Sequence, residues 1–244
     1  VWKKSQTKTH HEKFFTLLHV SRGDFSRRIA VVFSVIQDVL SVLISWDIHA
    51  FRLINGMMSN VLLDVLFPFL TTTKNWLPIY VFGIGAMIVR GYRERFAGGQ
   101  RLMLCAMMLV LTVAAADQLS HQLLKEVIQR PRPYMVLPDA IQRVGSGGGS
   151  FPSNHAMNSA IIAMILSTYF PRRRSLWWTY AGVIALSRVY CGVHYPSDVL
   201  GGLLIGAGVA MVMLELVRRI WPQLPIGPPP QASPEAPSAS SLRQ

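Results

Sequence analysis

Three short polar segments hold the side chains able to do chemistry: Lys125-Glu-Val-Ile-Gln-Arg130-Pro-Arg132-Pro133, Pro152-Ser153-Asn154-His155, and Ser187-Arg188-Val-Tyr-Cys-Gly-Val-His194-Tyr-Pro-Ser-Asp198. Together they supply the cations Lys125, Arg132 and Arg188, the histidines His155 and His194, the carboxylate Asp198 and the hydroxyl of Ser153. Fixed cations of this kind make an oxyanion site, with arginines engaging phosphate oxygens in pairs and lysine adding a point charge. Residues 153–155 open a predicted helix, whose free N–H groups and positive dipole end favour the same ligand. Phosphoryl transfer needs mainly such charge stabilisation, because charge spreads over the equatorial oxygens. His194 and Asp198 are four residues apart, with Pro196 between them at a predicted helix start. A carboxylate one turn on can accept the Nδ1 proton of His194, leaving Nε2 free to attack phosphorus. His155, on another segment, can protonate the leaving oxygen, and two histidines with opposite protonation needs predict a bell-shaped pH dependence. A lone histidine or outer-loop arginine specifies nothing by itself; the coincidence of the three segments does.

The elements that must position them are membrane helices. Of 244 residues, 51% are apolar, and mean hydropathy is positive. The apolar residues lie in long, nearly uncharged runs, and a bilayer core needs roughly 20 of them per helix. Spans are predicted over 29–46, 76–89, 102–124, 156–170, 176–190 and 199–217, with 61–70 too short to cross alone and read as an interfacial or re-entrant piece. The fold class is therefore all-α, a polytopic bundle of six transmembrane helices. A basic cytoplasmic segment (1–28) precedes the six-span domain (29–220), and a Pro-rich cytoplasmic tail (221–244) follows, whose composition predicts disorder.

Charge sets the predicted topology. The formal charge of +12 is concentrated in the N-terminal segment, around Arg90, Arg93, Arg95 and Arg101, at Arg172–Arg174, and at Arg218 and Arg219. Six spans put all of these on one side, which the positive-inside rule makes cytoplasmic. Arg52, Lys74, Lys125, Arg130, Arg132, Arg143 and Arg188 then fall outside, and the three chemical segments share the outer face. The positive charge is a topology signal, aided by anionic headgroups, and not a nucleic-acid signal.

Other features read as structural. Cys105 and Cys191 are small buried hydrophobes with neither a disulfide nor a zinc pattern. Trp46, Trp76, Trp177, Trp178 and Trp221 lie at span ends as interfacial anchors. Asp117, His121 and Lys125, spaced by four, predict one stripe on the third span in which Asp117 braces Lys125. A helix–helix hydrogen bond explains Asp117 equally well. Residues 145–150, Gly-Ser-Gly-Gly-Gly-Ser, read as a flexible connector.

These residues resemble the type 2 phosphatidic acid phosphatase superfamily, which shares its catalytic core with vanadium haloperoxidases. The family pattern Lys-x6-Arg-Pro is matched by Lys125, Arg132 and Pro133, and Pro-Ser-Gly-His by Pro152, Ser153 and His155. Ser-Arg-x5-His-x3-Asp is matched by Ser187, Arg188, His194 and Asp198. The resemblance covers roughly residues 47–217. It implies a phosphohistidine on His194, oriented by Asp198, with His155 as acid, phosphate held by Lys125, Arg132, Ser153, Arg188 and backbone amides, and no metal or other cofactor. Asn154 stands where the family has glycine; asparagine best tolerates the geometry glycine allows, so the amide contact is expected to survive, with its side chain as an added phosphate donor.

The expected function is a lipid phosphatase of a bacterial inner membrane, both termini cytoplasmic and the active site outside, with a membrane lipid and water as substrates. Undecaprenyl diphosphate, phosphatidylglycerol phosphate, phosphatidic acid and lipid A 1-phosphate are the expected candidates, and no protein partner is indicated. The alternative is a catalytically silent protein that binds or flips phospholipids. Mere binding does not require an acid and a nucleophile together, which favours the enzyme. A transporter would show paired repeats, and none is evident.

Overall fold

The structure, a computed structural model, describes residues 22–94 and 97–228. Among these every regular element is helical. The basic segment up to residue 21, Arg95 in the inner loop, and the Pro-rich tail from residue 229 lie outside the described residues. The chain divides into two compact units, Val1–His49 and Ala50–Gln244.

Helix α1, Arg22–Arg52, dominates the first unit. Val31, Val32, Phe33, Val35, Ile36, Val39 and Leu40 are all exposed, and successive residues cover every face of a helix. A helix apolar all round is stable in hydrocarbon and not in water.

In the second unit a π-turn, Leu53–Met57, leads to α2, Val61–Thr71, whose start is capped by Asn60 Oδ1 accepting from the Leu63 amide at 3.0 Å. Helix α3, Thr73–Arg93, follows after a one-residue corner and packs on α4, Ala97–Leu119. A second π-turn, Ser120–Leu124, carries α4 into the short helix α5, Lys125–Ile128. Helix α6, Pro133–Val136, and a long loop reach α7, Asn154–Tyr169. A 3-10 turn, Pro171–Arg173, joins it to α8, Arg174–Tyr190, and α9, Pro196–Ile220, completes the unit.

Helix α7 is the central element, packed on α9, α8 and α4. Its Met157, Ile161, Ile165 and Tyr169 form a core with Leu104, Cys105 and Met108 of α4 and Ala210 and Leu214 of α9. Small residues set the spacing: a Cβ on Gly202 of α9 would come within 2.6 Å of the Ser153 carbonyl, and one on Gly206 would collide with the Met157 carbonyl. Close backbone approach of this kind is how helices associate where lipid tails compete for apolar contact. It also brings the first turns of α7 and α9 together.

Each predicted span coincides with a helix. Among the described residues three stretches, Arg27–Met57, Gly99–Val136 and Pro196–Ile220, are long and apolar enough to cross a membrane. Helices α7 and α8, with 16 and 17 residues, fall short of the roughly 20 that a bilayer core requires. The start of the tail departs from the expected disorder. Leu224 and Ile226 pack on the core, and Arg101 Nε donates to the Gly227 carbonyl at 2.5 Å, so packing continues past the end of α9.

Candidate active site

The loop 191–195 places His194 between α8 and α9. Gly192 turns the chain at φ +78°, and a Cβ there would collide with the Ile141 carbonyl, so the tight turn depends on glycine. Arg143 pins the turn by donating to the Tyr190 carbonyl at 2.7 Å and to Asp64 at 2.6 Å, while its own amide donates to the Cys191 carbonyl at 3.0 Å. Pro196 then starts α9, and Asp198 caps it by accepting from the Tyr195 amide at 2.8 Å. This cap orients Asp198 toward the histidine that precedes it.

His194 is 2% exposed. Arg132 Nη1 lies 3.1 Å from its Nε2. A guanidinium only donates, so Nε2 accepts and the ring proton sits on Nδ1. Nδ1 is 3.7 Å from Asp198 Oδ2, beyond hydrogen-bond length, and has no hydrogen-bond partner among the described residues. Burial pushes the His194 pKa down from 6.5 to about 4; Asp198 opposes the shift, and Arg132 and Arg188 reinforce it. His194 is therefore neutral at pH 7, with its Nε2 lone pair in a cationic environment.

Arg132 also donates to three carbonyls of the glycine-rich loop, Gly147, Gly148 and Gly149, and to the Val193 carbonyl, at 2.8–3.1 Å. Its five N–H groups are thus all engaged, and the loop expected to be a plain connector is ordered around it. Arg188 is 4% exposed and donates from Nη1 to Thr71 Oγ1 at 2.9 Å; its Nε has no partner among the described residues. The side chain of Lys125, at the start of α5, makes no hydrogen bond or ion pair among the described residues, which leaves its ammonium open to an anion. Ser187 Oγ bonds back to the Ile184 carbonyl at 2.7 Å within its own helix.

The first turn of α7 is tied to Asp198 through the Ser153 amide, which donates to the Asp198 carbonyl at 3.1 Å. Ser153 Oγ is buried without a hydrogen-bond partner among the described residues, and the first amides of α7 are intrahelical orphans by geometry. His155, next on this turn, has Nε2 3.3 Å from Thr73 Oγ1 at the start of α3.

Asn154 behaves differently from the expected phosphate donor. Its Nδ2 donates to Asp117 at 3.0 Å, and its Oδ1 accepts from Ser120 at 2.9 Å. Asp117 also accepts from Asn158 Nδ2 at 3.1 and 3.2 Å. The carboxamide is consumed by a contact between α4 and α7, leaving only the backbone amide of Asn154 for an anion. Of the two roles expected for Asp117, the helix–helix hydrogen bond is the one made; among the described residues it forms no ion pair with Lys125, though its charge still acts on that ammonium.

Lys125, Arg132, Ser153, His155, Arg188, His194 and Asp198 thus occupy one end of the α4–α7–α8–α9 packing. Four contributors went unrecognised in the sequence: Arg130 and Ser150, which bind Asp198 at 2.6 and 2.5 Å, and Thr71 and Thr73, which bind Arg188 and His155. The Arg-Pro-Arg-Pro doublet was the one available signal for Arg130; the threonines carried none. Among the described residues no group of three or more His, Cys, Asp or Glu side chains is placed to hold a metal ion.

The phosphatidylglycerophosphatase B of Bacillus subtilis is 40% identical over 110 residues, covering 41% of this chain and 52% of that protein. The lipid A 4'-phosphatase of Bacteroides thetaiotaomicron is 30% identical over 142 residues, covering 54% and 59% respectively. The chain thus spans about half the length of these curated relatives. The crystal structure of a transmembrane PAP2-type phosphatidylglycerolphosphate phosphatase from Bacillus subtilis superimposes with a TM-score of 0.56 at 26% identity, covering 73% of this chain and 88% of that one. The family model described as PAP2 superfamily matches residues 103–222, a stretch that contains all three polar segments, and the chain belongs to that superfamily.

Proposed function

We propose that the chain is a bacterial membrane lipid phosphatase that acts through a phosphohistidine on His194, without a metal ion. The observation that carries this reading is the Arg132–His194 contact at 3.1 Å, which requires an unprotonated, nucleophilic Nε2 inside a cluster of cations. Incoming phosphate oxygens take over donors from Arg132 and pair with Lys125, Arg188 and the first amides of α7. His194 Nε2 attacks phosphorus, the P–O bond to the leaving group breaks, and His155 gives that oxygen its proton. As positive charge grows on the imidazole, Nδ1–H closes the 3.7 Å gap to Asp198. Water, deprotonated by His155, then attacks the phosphohistidine, releasing inorganic phosphate and restoring both histidines.

A lipid fits the surroundings of His155. Thr73, its neighbour, begins α3, and the exposed Leu77, Ile79, Val81 and Phe82 follow on that helix. An alcohol leaving on the His155 side meets surface compatible with acyl or prenyl chains. The distribution of basic residues supports six crossings with both termini in the cytoplasm and this site at the outer face of the inner membrane. Relatives named as phosphatases of phosphatidylglycerophosphate and lipid A make those the first substrates to try, beside phosphatidic acid and undecaprenyl diphosphate. Asn154 contributes its amide, and its side chain sets the helix that carries it.

The test is phosphate release by the purified chain against that panel, with and without chelator. Turnover should survive chelation, His194→Ala should lose it to background, and an alkaline quench of the unmodified enzyme should trap phosphate on His194. Full activity in His194→Ala, or loss of activity with chelator, refutes the mechanism.

A further inference from the structure

Asp198 is fully buried, and the contacts that hold it do not come from His194. Arg130 Nη1 reaches Oδ1 at 2.6 Å, Ser150 Oγ reaches Oδ2 at 2.5 Å, and the Tyr195 amide reaches Oδ2 at 2.8 Å, whereas His194 Nδ1 stands at 3.7 Å. Arg130 is itself fixed on two further sides. Its guanidinium lies 4.1 Å from the Tyr195 ring centroid, and Nη1 also donates to Ser197 Oγ at 2.7 Å. Its carbonyl accepts from the Ser150 amide at 2.7 Å, so the two residues that grip the carboxylate also grip each other. The result is a clamp built from the segment before α6 and the end of the glycine-rich loop, closed on the first turn of α9.

A bare buried carboxylate beside His194 would favour the imidazolium, and an imidazolium has no lone pair with which to attack. A carboxylate absent altogether would leave nothing to stabilise the charge that appears on the ring as phosphorus bonds to it. A guanidinium held permanently on the far oxygen satisfies both demands. It keeps Asp198 ionised while weakening its pull on the resting ring, and leaves the carboxylate one short approach from Nδ1. Beyond Arg130, the charged or titratable groups around His194 are Arg132 beside it, Arg188 from α8, Asp198 from α9, and His155 and Lys125 across the site. Asp198 is the one carboxylate among them, so its partner has unusual leverage on the ring.

We propose that Arg130, with Ser150, is a positioning residue for the phosphohistidine step: it holds Asp198 as a tempered base partner that keeps His194 neutral at rest and charged-state-stabilising during attack. The inference rests on the phosphatase reading for its consequence, but its physical content, the protonation of His194, is measurable without turnover.

The experiment compares the full chain in detergent micelles as the unmodified protein, Arg130→Gln, Arg130→Lys and Ser150→Ala. Histidine 15N NMR, with the His194 signal assigned by its loss in His194→Gln, gives the midpoint of ring protonation. Phosphate release from dispersed phosphatidic acid gives kcat and kcat/KM against pH. In Arg130→Gln the His194 midpoint should rise by about one pH unit or more, with the acid limb of kcat/KM moving equally. kcat should fall roughly tenfold, more than KM changes. Arg130→Lys, which keeps the charge, should hold the midpoint near that of the unmodified protein. A purely structural clamp would lower yield and activity without moving the midpoint, and that result overturns the proposal. If Arg130→Gln does not fold, Ser150→Ala carries the same sign: a midpoint that stays put or falls overturns it. If no lipid phosphate is hydrolysed, the phosphatase reading fails while the NMR midpoints still decide the role of Arg130.

Discussion

Asn154 offers the sharpest test of how the site is held, because it stands where the family pattern that the sequence resembles has glycine. Asn154→Gly deletes the donor to Asp117 at 3.0 Å and the acceptor for Ser120 at 2.9 Å. A hydrogen bond to a charged acceptor contributes about 1.5–3 kcal/mol, and a neutral one about 1 kcal/mol. Interhelical bonds in membranes average nearer 0.6 kcal/mol, because the unfolded chain finds other partners. The network is only partly buried, so a total near 2 kcal/mol is expected. Asp117→Ala removes the same bond and also strands Asn158, and should cost about as much or more. The decisive quantity is the coupling between the two substitutions. A double-mutant cycle, read as unfolding midpoints in a detergent-to-SDS titration, should give an interaction of about 1–2 kcal/mol. Phosphate release run in parallel should show kcat falling in both single variants with little change in KM, since the network positions the first turn of α7 and does not touch phosphate. Additive effects, with coupling within about 0.3 kcal/mol, would refute the contact. A selective rise in KM for Asn154→Gly would restore the side chain to the phosphate.

Three further outcomes follow from the same geometry. Since His194 is held near pKa 4 by burial and by Arg132 and Arg188, the acid limb of kcat/KM, corrected for substrate ionisation, should lie near pH 4; an acid limb at 6.5 would contradict it. The same shift makes His194 a source of acid lability: between about 6.5 and 4 the unfolded chain binds the proton that the folded ring refuses, so the unfolding midpoint should drop as pH falls through that window and drop less in His194→Gln. Gly192→Ala should cost roughly 2–4 kcal/mol, because φ is +78° and the new Cβ meets the Ile141 backbone, and should appear as a lowered SDS midpoint with loss of activity.

How much was legible differs between elements for physical reasons. The helices under 61–70, 76–89, 156–170, 176–190 and 199–217 were readable because each is a local apolar run, and backbone hydrogen bonds in such a run are satisfied within the segment itself. The π-turn at Ser120–Leu124 was invisible, since nothing in its composition departs from an ordinary helix. The composition of the tail predicts disorder from residue 221, yet Leu224 and Ile226 find apolar partners on the core and Arg101 finds the Gly227 carbonyl.

The chemical inventory was determined by the sequence alone: which cations, which two histidines and which carboxylate exist, and that Asp198 lies one turn beyond His194. Those are matters of residue type and short spacing. Which partner each group takes was decided only by the tertiary structure. Asp198 is gripped by Arg130, 68 residues away, more closely than by the histidine four residues away. Arg132 spends its donors on a loop and on His194, and Asn154 turns from the phosphate side to Asp117. Hydrogen bonds and ion pairs act over a few ångströms, and only the close packing of α7 against α9 and α4 sets which groups come within that reach.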